Sequence, residues 1–553
     1  MGLKNIVSFL FLLFSFSVLP QDMAEYTNSW EGKITDLHAF DLQLEIKDLG
    51  LETAIFHISN SKTIVQHPFN GTDTQKLQIS LSENFYFEGV LSGDGNEISG
   101  FIKSGLLLYH VNLLKSATGS YRGNWKILMV DRLKSPNFYL SVENGAQNVY
   151  QAYPIFGDDR FTGTWCDNFQ KEHDQIAFTD FKTGLRFKGK LLSDKIQLGI
   201  FLGDHPLTQI DLKKSETDWK LGDLHTENKT SILALSDMER LISKDSLPNT
   251  HSVLVSKNGE LVYENYFNGY DPNIPQDMRS ASKSISSAIV GIAKDKKLFD
   301  NVGQSIFEFL PEEYQGYRSP LKGEVDLKSL LTMSSGLDAV DFGLERKSLA
   351  SEDNYQPTPD WTKTILGAPM INGPNTRANY GSANPYLLGV AIDSVVSGPL
   401  ELFMDLNLFG PLGISNYIIQ TDFTGRPYFG GGMYLTPRDM VKFGLLYLHK
   451  GNWEGRQILS ENWIQDSFRN YRVLENTSDK NGYGYLWWHN TYQVNAQRIA
   501  SIEARGAGGQ YIFILPELQT VVVITSGNYR NGKTQQPEII LEKYILPYLK
   551  KGG

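Results

Sequence analysis

A chain of 553 residues exceeds the size at which one hydrophobic core stops growing, so more than one folded unit is expected. A hydrophobic fraction of 41%, an aromatic fraction of 12% and 50 glycines describe a folded, turn-rich protein and exclude a low-complexity or disordered one. A net charge of −10 with no long basic run argues against nucleic acid as a partner.

Residues 1–21 read as an export signal: Lys4 precedes an apolar run over 6–18, too short to span a bilayer comfortably, with cleavage near 19–21. The expected location is therefore periplasmic or secreted, with no stable membrane span after cleavage. Cys166 is the only cysteine, which rules out an intrachain disulfide.

From 22 to 225 the chain alternates short apolar and polar steps broken by glycine. Strands are expected over 42–46, 85–91, 97–102, 106–113 and 187–191, with Ser92-Gly93-Asp94-Gly95-Asn96 as a hairpin turn. An aromatic-x-Gly unit recurs as Trp30-Glu31-Gly32, Phe87-Glu88-Gly89, Tyr121-Arg122-Gly123, Phe161-Thr162-Gly163 and Phe187-Lys188-Gly189, a pattern common where strands bend. The region reads as an all-β accessory domain, a barrel or sandwich, with its boundary near residue 226. Its histidines, among them His38, His110, His173 and His205, lack metal-ligand spacing, and no metal or organic cofactor is expected. The region offers no catalytic chemistry of its own, which leaves substrate presentation, partner binding or stabilisation as its role.

Residues 226–553 read as an α+β domain. A helix-like piece over 232–242 is followed by strands at 251–255 and 261–265 joined by Lys257-Asn258-Gly259-Glu260, a hairpin signal. Ile285, Ala288, Ile289, Ile292 and Ala293 recur at helical spacing and predict a buried helix over 280–294. A later helix starts at Thr436-Pro437-Arg438-Asp439, with proline in the first helical position. Strands at 511–515 and 521–525 and a final helix over 536–549 close the chain. Strands at both ends with helices between suggest an antiparallel sheet whose terminal strands are neighbours.

Chemistry concentrates at the start of the 280–294 helix. Ser280 and Lys283 lie at i and i+3, on one helical face, so the amine can approach the hydroxyl. Free N–H groups at a helix start favour the negative charge that develops in acyl transfer. Tyr380 in Asn379-Tyr380-Gly381-Ser382 is a natural companion for a lysine base. The glycine-rich run Ala504-Arg505-Gly506-Ala507-Gly508-Gly509-Gln510-Tyr511 could bring backbone N–H groups close to a ligand. No G-x-S-x-G motif occurs, and His251, His449 and His489 lie in no serine-hydrolase motif, which disfavours a Ser-His-Asp triad.

Taken together, residues 251–549 resemble the β-lactamase-related serine hydrolases, the group of class C β-lactamases, DD-peptidases, family VIII esterases and 6-aminohexanoate-dimer hydrolases. The resemblance rests on Ser280-x-x-Lys283 and Tyr380-x-Ser382. It extends to Leu330-Leu331-Thr332-Met333-Ser334-Ser335-Gly336-Leu337, Gly430-Gly431-Gly432-Met433-Tyr434-Leu435-Thr436 and Tyr483-Gly484-Tyr485-Leu486-Trp487-Trp488, in the same order. It implies a β-lactamase/DD-peptidase-like fold, an antiparallel sheet flanked by helices with a helical subdomain over about 300–419. It also implies an acyl-enzyme on Ser280, with Lys283 as base and Tyr380 relaying the proton. Ser382 would stand where asparagine is usual, and Gly508, Gly509 and Gln510 would line the oxyanion site with the backbone N–H groups of Ser280 and Gln510. Ala507-Gly508-Gly509 in place of Lys-Thr-Gly removes a side chain that would bind a β-lactam or peptide carboxylate, although Arg505 could substitute. The implied substrate is a small ester, amide or short peptide-like molecule, with esterase or amidase action favoured over strong β-lactamase action. A non-catalytic, penicillin-binding-like sensor is the alternative.

Overall fold

Apolar and polar residues alternate along the N-terminal strands and set their two faces. Phe85–Leu91 and Ile196–Leu202 each bury every second side chain or nearly so, as a pleat with one face against a core requires. The computed structural model describes residues 26–47, 53–58, 63–68, 76–82, 85–127, 136–144, 150–156, 166, 168–215, 232–343, 346–478, 480–494, 496–529 and 531–550. The signal-like segment, the boundary expected near 226 and the Phe161-Thr162-Gly163 unit lie outside them. Within them, no single helix is long and apolar enough to cross a membrane.

The N-terminal region is all-β. One antiparallel sheet of eight strands runs in the order Tyr150–Phe156, Asn137–Asn144, Ser29–Lys33, His205–Lys214, Ile196–Leu202, Leu185–Leu191, Gln175–Thr179, Gln170–Glu172. The remaining N-terminal strands join a second sheet, and the two bury a common core. Trp30, Phe87, Tyr121 and Phe187, the aromatic members of the repeated aromatic-x-Gly unit, all lie in that core. The expected strands are present, the last one extended to Leu185–Leu191.

The C-terminal region carries an eight-stranded antiparallel sheet in the order Glu260–Tyr266, Thr250–Lys257, Thr520–Ser526, Gln510–Leu515, Gln497–Gly506, Trp488–Val494, Gly482–Tyr483, Arg472–Val473. The first and last long strands are thus neighbours, as expected for this α+β fold. Asn258 and Gly259 both take positive φ, 52° and 85°, the requirement of a tight hairpin whose twist matches its strands. Helix Pro437–Leu448 packs on strands Gln510–Leu515 and Thr520–Ser526. Helices Lys283–Asp295 and Ala383–Val395 pack on each other in the same buried core.

The two regions share a sheet. Strand Leu107–Lys115 pairs with Tyr417–Gln420, which pairs with Met433–Leu435, which pairs with Gln276–Asp277. An unbroken backbone ladder therefore leads from the N-terminal sheet to within three residues of Ser280. The cores interlock to match: Phe101 and Leu108 are buried in the C-terminal core, and Ile418 and Tyr434 in the N-terminal one. At this seam His110 contacts the Ser415 carbonyl oxygen at 2.8 Å and stacks on Tyr417 with ring centroids 4.9 Å apart.

Candidate active site

Ser280 sits one turn earlier than the helical periodicity suggests. Arg279–Ser282 is a 3-10 turn, and the α-helix proper begins at Lys283. In a 3-10 turn, side chains at i and i+3 eclipse rather than lie side by side. The Lys283 Nζ accordingly reaches the Ser280 Oγ at 2.7 Å. The turn is fastened from both ends. Ala281 N–H donates to the Met278 carbonyl at 3.0 Å, and the Ser282 hydroxyl donates to the Arg279 carbonyl at 2.8 Å.

Arg279 itself has φ of 49°, in the left-handed region that costs a non-glycine residue on the order of 1 kcal/mol. The Asp277 carboxylate holds it there, accepting from the Arg279 N–H at 3.1 Å and pairing with its Nε at 3.1 Å. Burial works against the Asp277 carboxylate, but Arg279 and Lys182 prevail and keep its pKa below the ordinary value. Lys182, a residue of the N-terminal region, reaches Asp277 at 3.5 Å.

Lys283 is 1% exposed, and its amine has three oxygen neighbours besides its contact with the Tyr380 hydroxyl. These are Ser280 Oγ at 2.7 Å, Ser382 Oγ at 3.0 Å and the Gly430 carbonyl oxygen. Ser382 precedes helix Ala383–Val395, and its hydroxyl donates to Asp341 Oδ2 at 2.6 Å, with Glu352 Oε2 more distant at 3.4 Å. Its backbone N–H donates to the same Asp341 oxygen at 2.8 Å. Tyr380 is buried with its ring centroid 5.0 Å from the Lys283 Nζ. Burial raises its phenol pKa, while the Lys283 charge and hydrogen bonding to Ser280 and Lys283 pull the other way. Ser280, Lys283, Tyr380 and Ser382 therefore converge on one point.

The glycine-rich run behaves differently from its sequence reading. Strand Gln497–Gly506 ends against the serine turn: a Cβ on Gly506 would stand 2.1 Å from the Met278 carbonyl oxygen, so only glycine fits. The residue that then lines the cavity beside Ser280 is Ala507. Gly508, Gly509 and Gln510 turn away. The Ser526 hydroxyl donates to the Gly508 carbonyl at 2.7 Å, and the Gln510 side chain donates to the Ser526 carbonyl. Gln510 lines a separate small cleft with His251 and Tyr270. Of the run expected to line the oxyanion site, it is thus Ala507, three residues before Gln510, that shares the cavity with Ser280. Arg505 does not replace the missing cation either, since Glu503 at 2.6 Å and Glu538 at 3.5 Å hold it and it does not line the cavity.

The cavity over Ser280 has a volume of about 490 Å³, within the usual range for a small-molecule site. Arg279, residues 430–432, Glu352 and Ala507 surround the serine. Pro357, Pro359, Trp361 and Phe423 form an apolar side, and Leu106, Phe181 and Lys182 of the N-terminal region complete the wall. Glu352 accepts from the Tyr428 hydroxyl at 2.6 Å; burial and then the Asp341 carboxylate push its pKa up, and Lys283 opposes them.

The sequence reading missed Asp277, Asp341, Glu352 and the N-terminal wall. Gly430 stood inside one of the quoted blocks, but nothing in it marked the carbonyl as a lysine partner. Asp341 and Glu352 lie in no motif, and only the fold brings them to Ser382.

Comparison with known proteins places this arrangement. The chain is 23% identical over 309 residues to the 6-aminohexanoate-dimer hydrolase of Paenarthrobacter ureafaciens, a match covering 52% of this chain and 74% of that protein. Among solved structures, a penicillin-binding protein from Bacillus halodurans is 17% identical, with a TM-score of 0.43 over 56% of this chain and 98% of its own. A family VIII carboxylesterase is 13% identical, with a TM-score of 0.41 over 55% and 94%. The family model described as Beta-lactamase matches residues 249–542, more than half of the chain. With that match spanning the sheet, the helices and the Ser280 turn, the chain belongs to the Beta-lactamase family and is a serine hydrolase of it.

Proposed function

We propose that the protein cleaves a small ester or amide through an acyl-enzyme on Ser280. The supporting observation is the set of three oxygens around the Lys283 amine. The Gly430 carbonyl can only accept a hydrogen bond, and the single hydrogen of Ser382 points to a carboxylate. Of these three oxygens, only Ser280 Oγ has a hydrogen that can pass to the lysine, and the Tyr380 hydroxyl, hydrogen-bonded to both groups, is available to relay it. A neutral Lys283 fits the same cage, donating to Gly430 and Ser382 and accepting from Ser280.

The reaction follows from this geometry. Ser280 Oγ attacks the substrate carbonyl carbon while its proton moves to Lys283. The oxyanion forms against the backbone N–H groups of Ser280 and Ala507, a pair worth about 10² to 10³ in rate. Tyr380, within reach of both Ser280 and Lys283, passes the proton to the leaving oxygen or nitrogen. Water then enters, the same groups deprotonate it, and the acyl-enzyme is hydrolysed. The lack of a cationic side chain on the Ala507-Gly508-Gly509 turn favours esters and linear amides over β-lactams. The export signal read in residues 1–21 supports a periplasmic or extracellular site for this activity.

Labelling with a fluorophosphonate followed by peptide mapping tests the proposal. The adduct is expected on Ser280 and is expected to vanish in Ser280→Ala. Undiminished labelling in that variant would overturn it.

A further inference from the structure

The all-β region contributes directly to the cavity above Ser280, where its Ser104–Leu106 and Asp180–Gly184 turns meet. The Leu106 N–H lies 3.1 Å from both the Phe181 and the Lys182 carbonyl oxygens, and the Ser104 hydroxyl donates to the Thr183 carbonyl at 2.7 Å. The contact is so close that a Cβ on Gly105 would fall 2.4 Å from the Gly184 nitrogen, and both glycines take positive φ. From the C-terminal side, the Thr421 N–H donates to the Leu106 carbonyl at 2.7 Å. Lys182 lies 5.2 Å from the centre of the Tyr434 ring and pairs with Asp277, the carboxylate that also holds Arg279 next to Ser280. The turns are thus registered to the reacting serine by hydrogen bonds and an ion pair, and they form a fixed wall.

We infer that this wall, through Phe181 and Leu106, sets the length of the apolar chain that the hydrolase accepts beside the scissile bond. The inference rests on the proposed role of Ser280. Leu106, Phe181, Trp361 and Phe423 present carbon to the cavity. The ionic groups that line it are matched internally: Lys182 and Arg279 on Asp277, and Glu352 on Tyr428. What remains for a ligand is a largely apolar space, with Gln356 and Gln420 as its uncharged polar groups, bounded on one side by this wall, which suits an uncharged acyl or alkyl group.

A series of p-nitrophenyl esters from acetate to decanoate, assayed with the full chain and with Phe181→Ala, Phe181→Trp and Leu106→Ala, tests this. One methylene in an apolar pocket is worth about 10-fold or more in kcat/KM. Phe181→Ala and Leu106→Ala are expected to raise the decanoate-to-butyrate ratio of kcat/KM by about 10-fold or more, and Phe181→Trp to lower it. Ratios within about twofold of the parent in all three folded variants would overturn the wall while leaving the nucleophile intact. Absence of any Ser280-dependent turnover or labelling in the parent would instead sink the nucleophile, and the wall with it.

Discussion

Lys283 and Ser280 meet because a 3-10 turn eclipses residues three apart, so their 2.7 Å contact is a local consequence of the chain. The lysine's task follows from its partners and can be separated from its charge. Lys283→Ala removes the base and should lower kcat/KM by about 10² to 10⁴. Lys283→Arg puts a permanent cation at the same place, but a guanidinium does not deprotonate, so activity should fall as far as with alanine. Steady-state ester hydrolysis decides, and near-parental activity in the arginine variant would refute the base role. Tyr380→Phe keeps the buried ring against Trp488, 5.1 Å away between centroids, and removes only the hydroxyl. It should lower kcat by about 10²-fold with an unchanged circular dichroism spectrum.

At the scale of elements, strand Gln497–Gly506 and the serine turn touch with no room to spare. Gly506→Ala must push one off the other, since the new methyl would lie 2.1 Å from the Met278 carbonyl oxygen. Overpacking of this kind costs about 1 to 3 kcal/mol, and a displacement of about 1 Å near the reacting atoms costs about 10² in rate. Ester hydrolysis should therefore fall by about 10²-fold and stability to denaturant by about 1 to 3 kcal/mol, losses of similar size in free energy. Thr436 is the contrasting case. Its hydroxyl accepts the Asp439 N–H at 3.2 Å at the start of helix Pro437–Leu448. Thr436→Ala should cost about 1 kcal/mol in denaturant unfolding with little change in kcat/KM. The helix start was legible in Thr436-Pro437-Arg438-Asp439 because capping is local. Which residue of the run shares the cavity with Ser280 could not be read from the sequence, because Gly506-Ala507-Gly508-Gly509 looks alike at each register. Only the strand pairing that ends at Gly506 opposite Gln510 decides that Ala507 lines the cavity with the serine.

At the scale of the molecule, the two regions behave as one structure. Strand Tyr417–Gln420 has its edge covered by Leu107–Lys115, and removal of residues 1–231 would expose it. That truncation should yield an aggregating or inactive hydrolase, since an uncovered apolar edge is a template for pairing. A soluble fragment of parental activity, measured after size-exclusion chromatography, would contradict this. The seam also carries a pH signature. Burial pushes the Asp180 carboxyl up to about 6, against hydrogen bonds from the Thr183 hydroxyl and the Lys182 N–H. A carboxyl whose pKa is raised on folding stabilises fully below its unfolded value of about 4, and that contribution is lost as pH rises through about 6. Asp180→Asn does not titrate. The parent's unfolding midpoint, taken relative to that variant's, should therefore fall between about pH 4 and pH 7 and level off above.

What could be read from residues alone was what short-range physics controls. Strand alternation, hairpin turns, the Ser280 and Lys283 spacing and the Thr436 cap each involve groups a few positions apart, and the ordered motifs then pointed to the family. The tertiary structure decided what depends on pairing between distant segments. It placed Ala507 rather than Gln510 beside the serine, brought Asp341 and Glu352 to Ser382, and set Phe181 and Lys182 on the wall of the cavity. The first of these follows from the pairing of Gly506 with Gln510, and the last from the register of Leu107–Lys115 against Tyr417–Gln420. That register is chosen by the burial of two interlocked cores, a sum over many side chains that no local pattern contains.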